Sequence, residues 1–112
     1  MPNSFSSPDE QAVQRAISAI SQSDPLIKLL QQVRLGRMKP TDTGLRAVAE
    51  SWLSTYEKAL ATEGLTQFGL RRLNPAPRLT VLIEAGVLTD DHSGVRALRA
   101  TYDELLARAP AT

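Results

Sequence analysis

The longest regular helical pattern in this chain runs from Asp42 to Glu63 and is followed directly by Gly64. Its apolar residues recur at the spacing of three and four that is typical of a helix burying one side. On a helical wheel they cover about 140°, which is wide enough to contact two or three neighbouring helices. They are Leu45, Val48, Ala49, Trp52, Leu53, Tyr56, Ala59 and Leu60. We therefore expect one long central helix on which shorter helices pack.

Two shorter helices are predicted before the central helix. A serine, a proline and two acids at 7–10 form a capping signal, and the helix that they begin extends to about Gln22. Asp24-Pro25 repeats the signal almost at once and begins a second helix, which ends before Gly36. The central helix itself has three candidate caps, at 41–43, and the pattern does not decide among them.

Further helices are predicted after the central helix. We expect a short helix over 66–73, a strongly apolar helix over 75–85, and a last helix that ends at Pro110. The last helix begins either behind Thr89, as its cap, or at Val95. No stretch shows the alternation of apolar and polar residues that indicates a β-strand. The sequence thus predicts an all-α fold, a compact bundle of five or six helices with short turns around the long helix at 42–63.

Length and composition favour one domain. The chain has 112 residues, of which 42% are hydrophobic, and this supplies one modest core. We expect a polar tail at 1–6, a single helical domain at 7–109 and a short tail at 110–112. There is no cysteine, which excludes disulfides and thiolate metal ligands. The sequence contains neither a signal peptide nor an apolar run of membrane-spanning length, so a cytoplasmic location is expected.

No group of residues forms a convincing catalytic, cofactor-binding or metal-binding set. The single histidine, His92, lies in the acidic stretch 90–93, but side chains of adjacent residues diverge, and no second histidine completes a site. Glu50 and Glu57 fall outside the apolar side of the central helix, so we expect both to be solvated and to keep ordinary pKa values. The sequence therefore predicts a protein that is not an enzyme and has no cofactor.

Two stretches rich in basic residues, 28–39 and 71–78, contain no acid and support an alternative hypothesis of nucleic-acid binding. A helix-turn-helix can be drawn through 66–73 and 75–85, but the second of these helices is too apolar to contact base edges. The net charge of +1 is also weak for such a role. The residues that would contact nucleic acid are Arg34, Arg37, Lys39, Arg71, Arg72 and Arg78.

By elimination, the main hypothesis is a protein–protein interaction module that acts as an accessory, adaptor or antagonist protein. The second, third and fifth predicted helices have apolar faces broader than one contact requires, and self-association into a homodimer is the simplest use of that surplus. The last helix carries a narrow apolar ridge, which we expect to lie at the rim of the domain and to contact a dimer mate or another partner. The ridge comprises Val95, Leu98, Tyr102 and Leu105.

Overall fold

The structure, a computed structural model, describes residues 8–22, 26–62 and 64–111. Within these ranges the chain forms six helices and no strand. They are α1 (Pro8–Gln22), α2 (Leu26–Arg34), α3 (Thr43–Thr62), α4 (Gln67–Arg72), α5 (Ala76–Glu84) and α6 (Ser93–Arg108). The predicted all-α bundle is therefore confirmed. The start signals proposed at Ser7 and at 24–25 lie outside the described residues.

Helix α3 is the centre of the fold, as its wide apolar face predicts. It packs against α6, α1 and α2, and α4 packs against both α1 and α6. Seven of the eight predicted apolar positions of α3 are buried, and the eighth, Val48, is partly buried against the core. Asp42 is the cap of α3, because its Oδ1 accepts hydrogen bonds from the backbone N–H of Gly44 at 2.9 Å and of Leu45 at 3.1 Å.

Two aromatic side chains of α3 lie in the core beside each other. The ring centroids of Trp52 and Tyr56 are 5.1 Å apart with an interplanar angle of 60°, a favourable tilted geometry. The Tyr56 hydroxyl donates a hydrogen bond to the backbone carbonyl of Leu73 at 2.6 Å, which ties α3 to the end of α4. Burial raises the pKa of Tyr56 to about 12, so this hydroxyl stays protonated and remains a donor at physiological pH.

The chain folds as two successive groups of three helices, α1–α3 and α4–α6. The second helix of each group and the loop that follows it have residue numbers that differ by 50. Helix α2 occupies 26–34 and α5 occupies 76–84, while α3 and α6 begin at 43 and 93. The loops also share their backbone hydrogen bonds. The N–H of Asp42 bonds to the carbonyl of Lys39, and the N–H of His92 bonds to the carbonyl of Thr89. The fold therefore repeats one helix–loop–helix segment at an interval of 50 residues.

Each of the two equivalent loops begins with a glycine in the left-handed conformation. The φ angle is 74° at Gly36 and 83° at Gly86, a region that residues with a Cβ rarely adopt. The N–H of each glycine bonds back to the preceding helix, at Val33 and Ile83 respectively. The glycines thus end α2 and α5 in the same manner and set the same direction for the loop that leads to the next helix.

The start of α6 differs from both predicted positions. The helix begins at Ser93, between the expected Thr89 and Val95, and its cap is His92. The reason is that this loop repeats the loop before α3. Thr89 and the two acids after it form the same turn that 39–41 form in the first group, so the helix can begin only after them. No helix in the described part of the chain is both long enough and apolar enough to cross a membrane.

Candidate functional site

An open groove of about 350 Å³ lies between α2 and α5, and we call it the α2–α5 groove. Its volume is in the range of ordinary binding sites. Helix α2 contributes residues at the spacing of one helical face, and α5 contributes a shorter row at the same spacing. Trp52 of α3 lies between them. The lining residues are Leu26, Ile27, Leu30, Gln31, Arg34, Trp52, Arg78, Val81 and Leu82.

The groove exposes apolar side chains on both of its walls. Ile27 of α2 is 64% exposed and Val81 of α5 is 39% exposed, whereas Leu26, Trp52 and Leu82 are buried. Single exposed apolar residues are common, but a concave surface that combines them with a buried apolar floor is typical of a binding site. This groove is where the broad apolar faces predicted for the second and fifth helices are left uncovered.

Trp52, which is part of the lining, also has an unused hydrogen-bond donor. Its Nε1 is the one buried side-chain nitrogen or oxygen that lacks a hydrogen-bond partner among the described residues. A buried donor without an acceptor costs about 1–3 kcal/mol. The nitrogen is itself buried, so the donor belongs to the floor beneath the groove.

The charged residues of the groove are cationic. Arg34 and Arg78 line it, no acid does, and neither arginine forms an ion pair with any other described residue. Both side chains are exposed. The α2–α5 groove therefore combines an apolar interior with two arginines whose charges no described residue neutralises.

The other four basic residues of the nucleic-acid hypothesis are placed elsewhere. Arg37 and Lys39 are exposed in the loop after α2, and Arg71 and Arg72 are exposed on α4. Arg72 is already engaged, since its Nη1 lies 3.3 Å from a carboxylate oxygen of Glu10 and its guanidinium lies over the ring of Phe68. Of the six predicted residues, the structure thus brings Arg34 and Arg78 together in one site.

The apolar ridge predicted on α6 is used inside the domain. Val95 and Leu98 have no exposed surface, Tyr102 is 7% exposed, and Leu105 is half-buried. Helix α6 packs along α3, so Val95, Leu98 and Tyr102 belong to the core of the fold, and Leu105 packs against that core. A partner interface on the ridge stays a prediction, and the exposed apolar surface of the α2–α5 groove is the stronger candidate.

His92 has a structural role that the sequence pattern did not reveal. Its Nδ1 accepts a hydrogen bond from the backbone N–H of Gly94 at 2.9 Å, and its Nε2 lies 2.7 Å from Oε2 of Glu50. The imidazole therefore carries its proton on Nε2 and donates it to the carboxylate. This hydrogen bond is the main cause that lowers the pKa of Glu50. The expectation that Glu50 keeps an ordinary pKa was wrong, because it links α3 to the start of α6.

Replacing His92 with alanine should lower the free energy of unfolding by about 1 kcal/mol, since α6 loses its cap. Urea denaturation followed by circular dichroism would measure the change. His92→Asn is the matched control, because its amide oxygen can still accept the Gly94 N–H. It should recover most of the loss. An unchanged denaturation midpoint for the alanine variant would show that the cap contributes nothing.

The groove could not be located from the sequence, although two signals pointed toward it. The surplus apolar surface of the second and fifth helices was visible, and so was the absence of acids around Arg34 and Arg78. The 50-residue repeat would have added that these two helices are equivalent elements of one fold.

No known protein family, curated protein or solved structure matches this chain.

Proposed function

We propose that this protein is a protein–protein interaction module, an accessory, adaptor or antagonist protein without catalytic activity, which binds a partner in the α2–α5 groove. The observation that carries the proposal is the pair of exposed apolar residues, Ile27 and Val81, on opposite walls above the buried Trp52. Uncovered apolar surface in a concave site favours an occupant that removes it from water.

The shape of the groove favours a helix as its occupant. The lining residues of α2 run from Leu26 to Arg34, which is just over two helical turns or about 12 Å. A groove between two helices accepts the apolar face of a third helix, whose side chains at positions i, i+4 and i+7 enter it as a row. Trp52 lies in the lining as part of its buried floor, so the partner would contact mainly the exposed side chains around it.

The nucleic-acid-binding module remains the second hypothesis, supported by the exposed arginines Arg34 and Arg78 in a groove whose lining contains no acid. A phosphate backbone would neutralise the arginines but would leave the apolar side chains of Ile27 and Val81 in water. Protein binding uses both features of the groove, which is why we prefer it.

A photo-crosslinking amino acid placed at position 27 in living cells tests the proposal. We expect it to join the protein to a defined partner, which mass spectrometry would identify. The matched control is the same amino acid at position 17, because Ile17 is an exposed isoleucine on α1 outside the groove lining. Position 17 should give no such product.

The partner's affinity should then fall by about tenfold or more in Ile27→Asp, which puts a charge into the apolar contact. Ile27 is largely exposed, so this variant should keep its thermal stability to within about 0.5 kcal/mol. Equal crosslinking at both positions, or full affinity in Ile27→Asp, would contradict binding in the α2–α5 groove.

A further inference from the structure

Building on the proposed function, we infer that the occupant of the α2–α5 groove is an amphipathic helix of another protein that carries acidic side chains beside its apolar face. The charge of the groove supports this chemistry. Arg34 and Arg78 line it, and the described acids closest in sequence, Asp42 and Glu84, do not. Carboxylates are the side chains that complete such a site, since arginine binds them with paired N–H donors.

The described part of the chain supplies no carboxylate to these arginines. Five ion pairs occur among the described residues, and they involve Arg46, Arg72, His92, Arg99 and Arg108. Arg34 and Arg78 take part in none of them. Two uncompensated cations at the border of an apolar groove attract an acidic partner and disfavour a basic one, which gives the site specificity as well as affinity.

A second copy of this chain is a poorer occupant. In a two-fold symmetric dimer each residue of the interface meets the same surface on the other copy. A dimer that closed over the α2–α5 groove would therefore place Arg34 and Arg78 near their own equivalents. Like charges that face each other across an interface oppose association. The charge pattern thus selects a different protein as the partner.

The positions of the groove residues define the sequence pattern that the partner helix must have. Its apolar residues must follow one face over two to three turns, so that they contact Ile27, Val81 and the buried Trp52. Glutamate or aspartate must flank that face, within reach of Arg34 and Arg78.

A display library of helical peptides of about 15 residues, with all charge types allowed beside an apolar face, tests the inference on the 112-residue chain. Peptides that bind the wild type would be sequenced and synthesised. Their affinities would be measured from the emission of Trp52, which is the only tryptophan of the chain. The variants are Ile27→Asp, the double charge reversal Arg34→Glu with Arg78→Glu, and Arg37→Glu as the matched control. Arg37 is also an exposed arginine but lies outside the groove lining.

We expect the selected peptides to be enriched in acidic residues and to lose about tenfold or more of their affinity in the double reversal and in Ile27→Asp. Arg37→Glu should bind them as the wild type does. Selected peptides that are neutral or basic but still depend on Ile27 would overturn the acidic partner and leave the proposed function standing.

Two other results would overturn both proposals. The first is that no selected peptide depends on Ile27, which would mean that the groove does not bind helices. The second is that the wild type binds a DNA or RNA duplex with sub-micromolar affinity at physiological salt and loses it in the double reversal. That result would establish the nucleic-acid hypothesis in place of a protein partner, and the double charge reversal prepared for the peptide assay is the variant that would reveal it.

Discussion

Replacing Trp52 with alanine should lower the free energy of unfolding by about 3–5 kcal/mol, as truncations of large buried side chains do. Trp52 is 2% exposed, packs against Tyr56 and lines the α2–α5 groove from the central helix. Since small domains have a total stability of about 5–15 kcal/mol, the variant should be marginally folded. Urea denaturation followed by circular dichroism measures the loss without needing the tryptophan signal.

A matched variant, Trp52→Phe, separates the two properties of this side chain. Phenylalanine keeps an aromatic ring beside Tyr56 but is smaller than the indole, and it also gives up the indole nitrogen, which has no acceptor among the described residues. It leaves a smaller cavity than alanine does and removes no hydrogen bond, so its cost should be below that of alanine. In the wild type the emission of Trp52 should be blue-shifted, as expected for a buried indole. Solvent-like emission together with an unchanged midpoint in the alanine variant would contradict the position of Trp52 in the core.

The helices of this fold were predictable because their signals are local. The apolar spacing of α3, the glycine at 36 that ends α2 and the threonine at 66 that caps α4 each act within a few residues. The structure has Gly36 in the left-handed conformation, and Thr66 Oγ1 accepts the N–H of Gly69. Such signals define where helices begin and end before any tertiary contact is known.

The start of α6 was not predictable from the same signals. Thr89 and the two acids that follow it are good capping residues, yet the cap is His92, whose other nitrogen binds Glu50, far away in the sequence. The choice between these caps depends on where α3 lies. The sequence does hold the missing clue, because 94–97 repeat the pattern of 44–47 and place His92 at the position of the capping Asp42. Comparing the chain with itself would have found it.

The α2–α5 groove was even less predictable, because it depends on how the helices pack against one another. Leu26, Ile27 and Leu30 all belong to the apolar face of one helix, but the structure buries Leu26 and leaves Ile27 largely exposed. Periodicity marks the face and does not say how much of it the neighbouring helices cover. The position of a helix against the central α3 decides which apolar residues of that helix are buried in the core and which stay exposed as a binding surface.

A substitution in the apolar ridge of α6 should have the other large effect on stability. It also tests directly whether the ridge belongs to the core or to an interface. Leu98 has no exposed surface and lies on the helix that packs along α3. An aspartate at this position would be a buried, unpaired charge, with a cost on the order of 5 kcal/mol. We expect Leu98→Asp to lose its cooperative thermal transition at every protein concentration.

Two controls on the same helix make the outcome interpretable. Leu105→Asp changes a half-buried ridge residue and should be destabilised less, and Ala100→Asp changes an exposed residue and should unfold much as the wild type does. Thermal scans over a range of protein concentrations, with light scattering for the oligomeric state, complete the test. If Leu98→Asp instead remained a folded monomer that had lost self-association, the ridge would be an interface. The packing of α6 on α3 would then not be the main use of these residues.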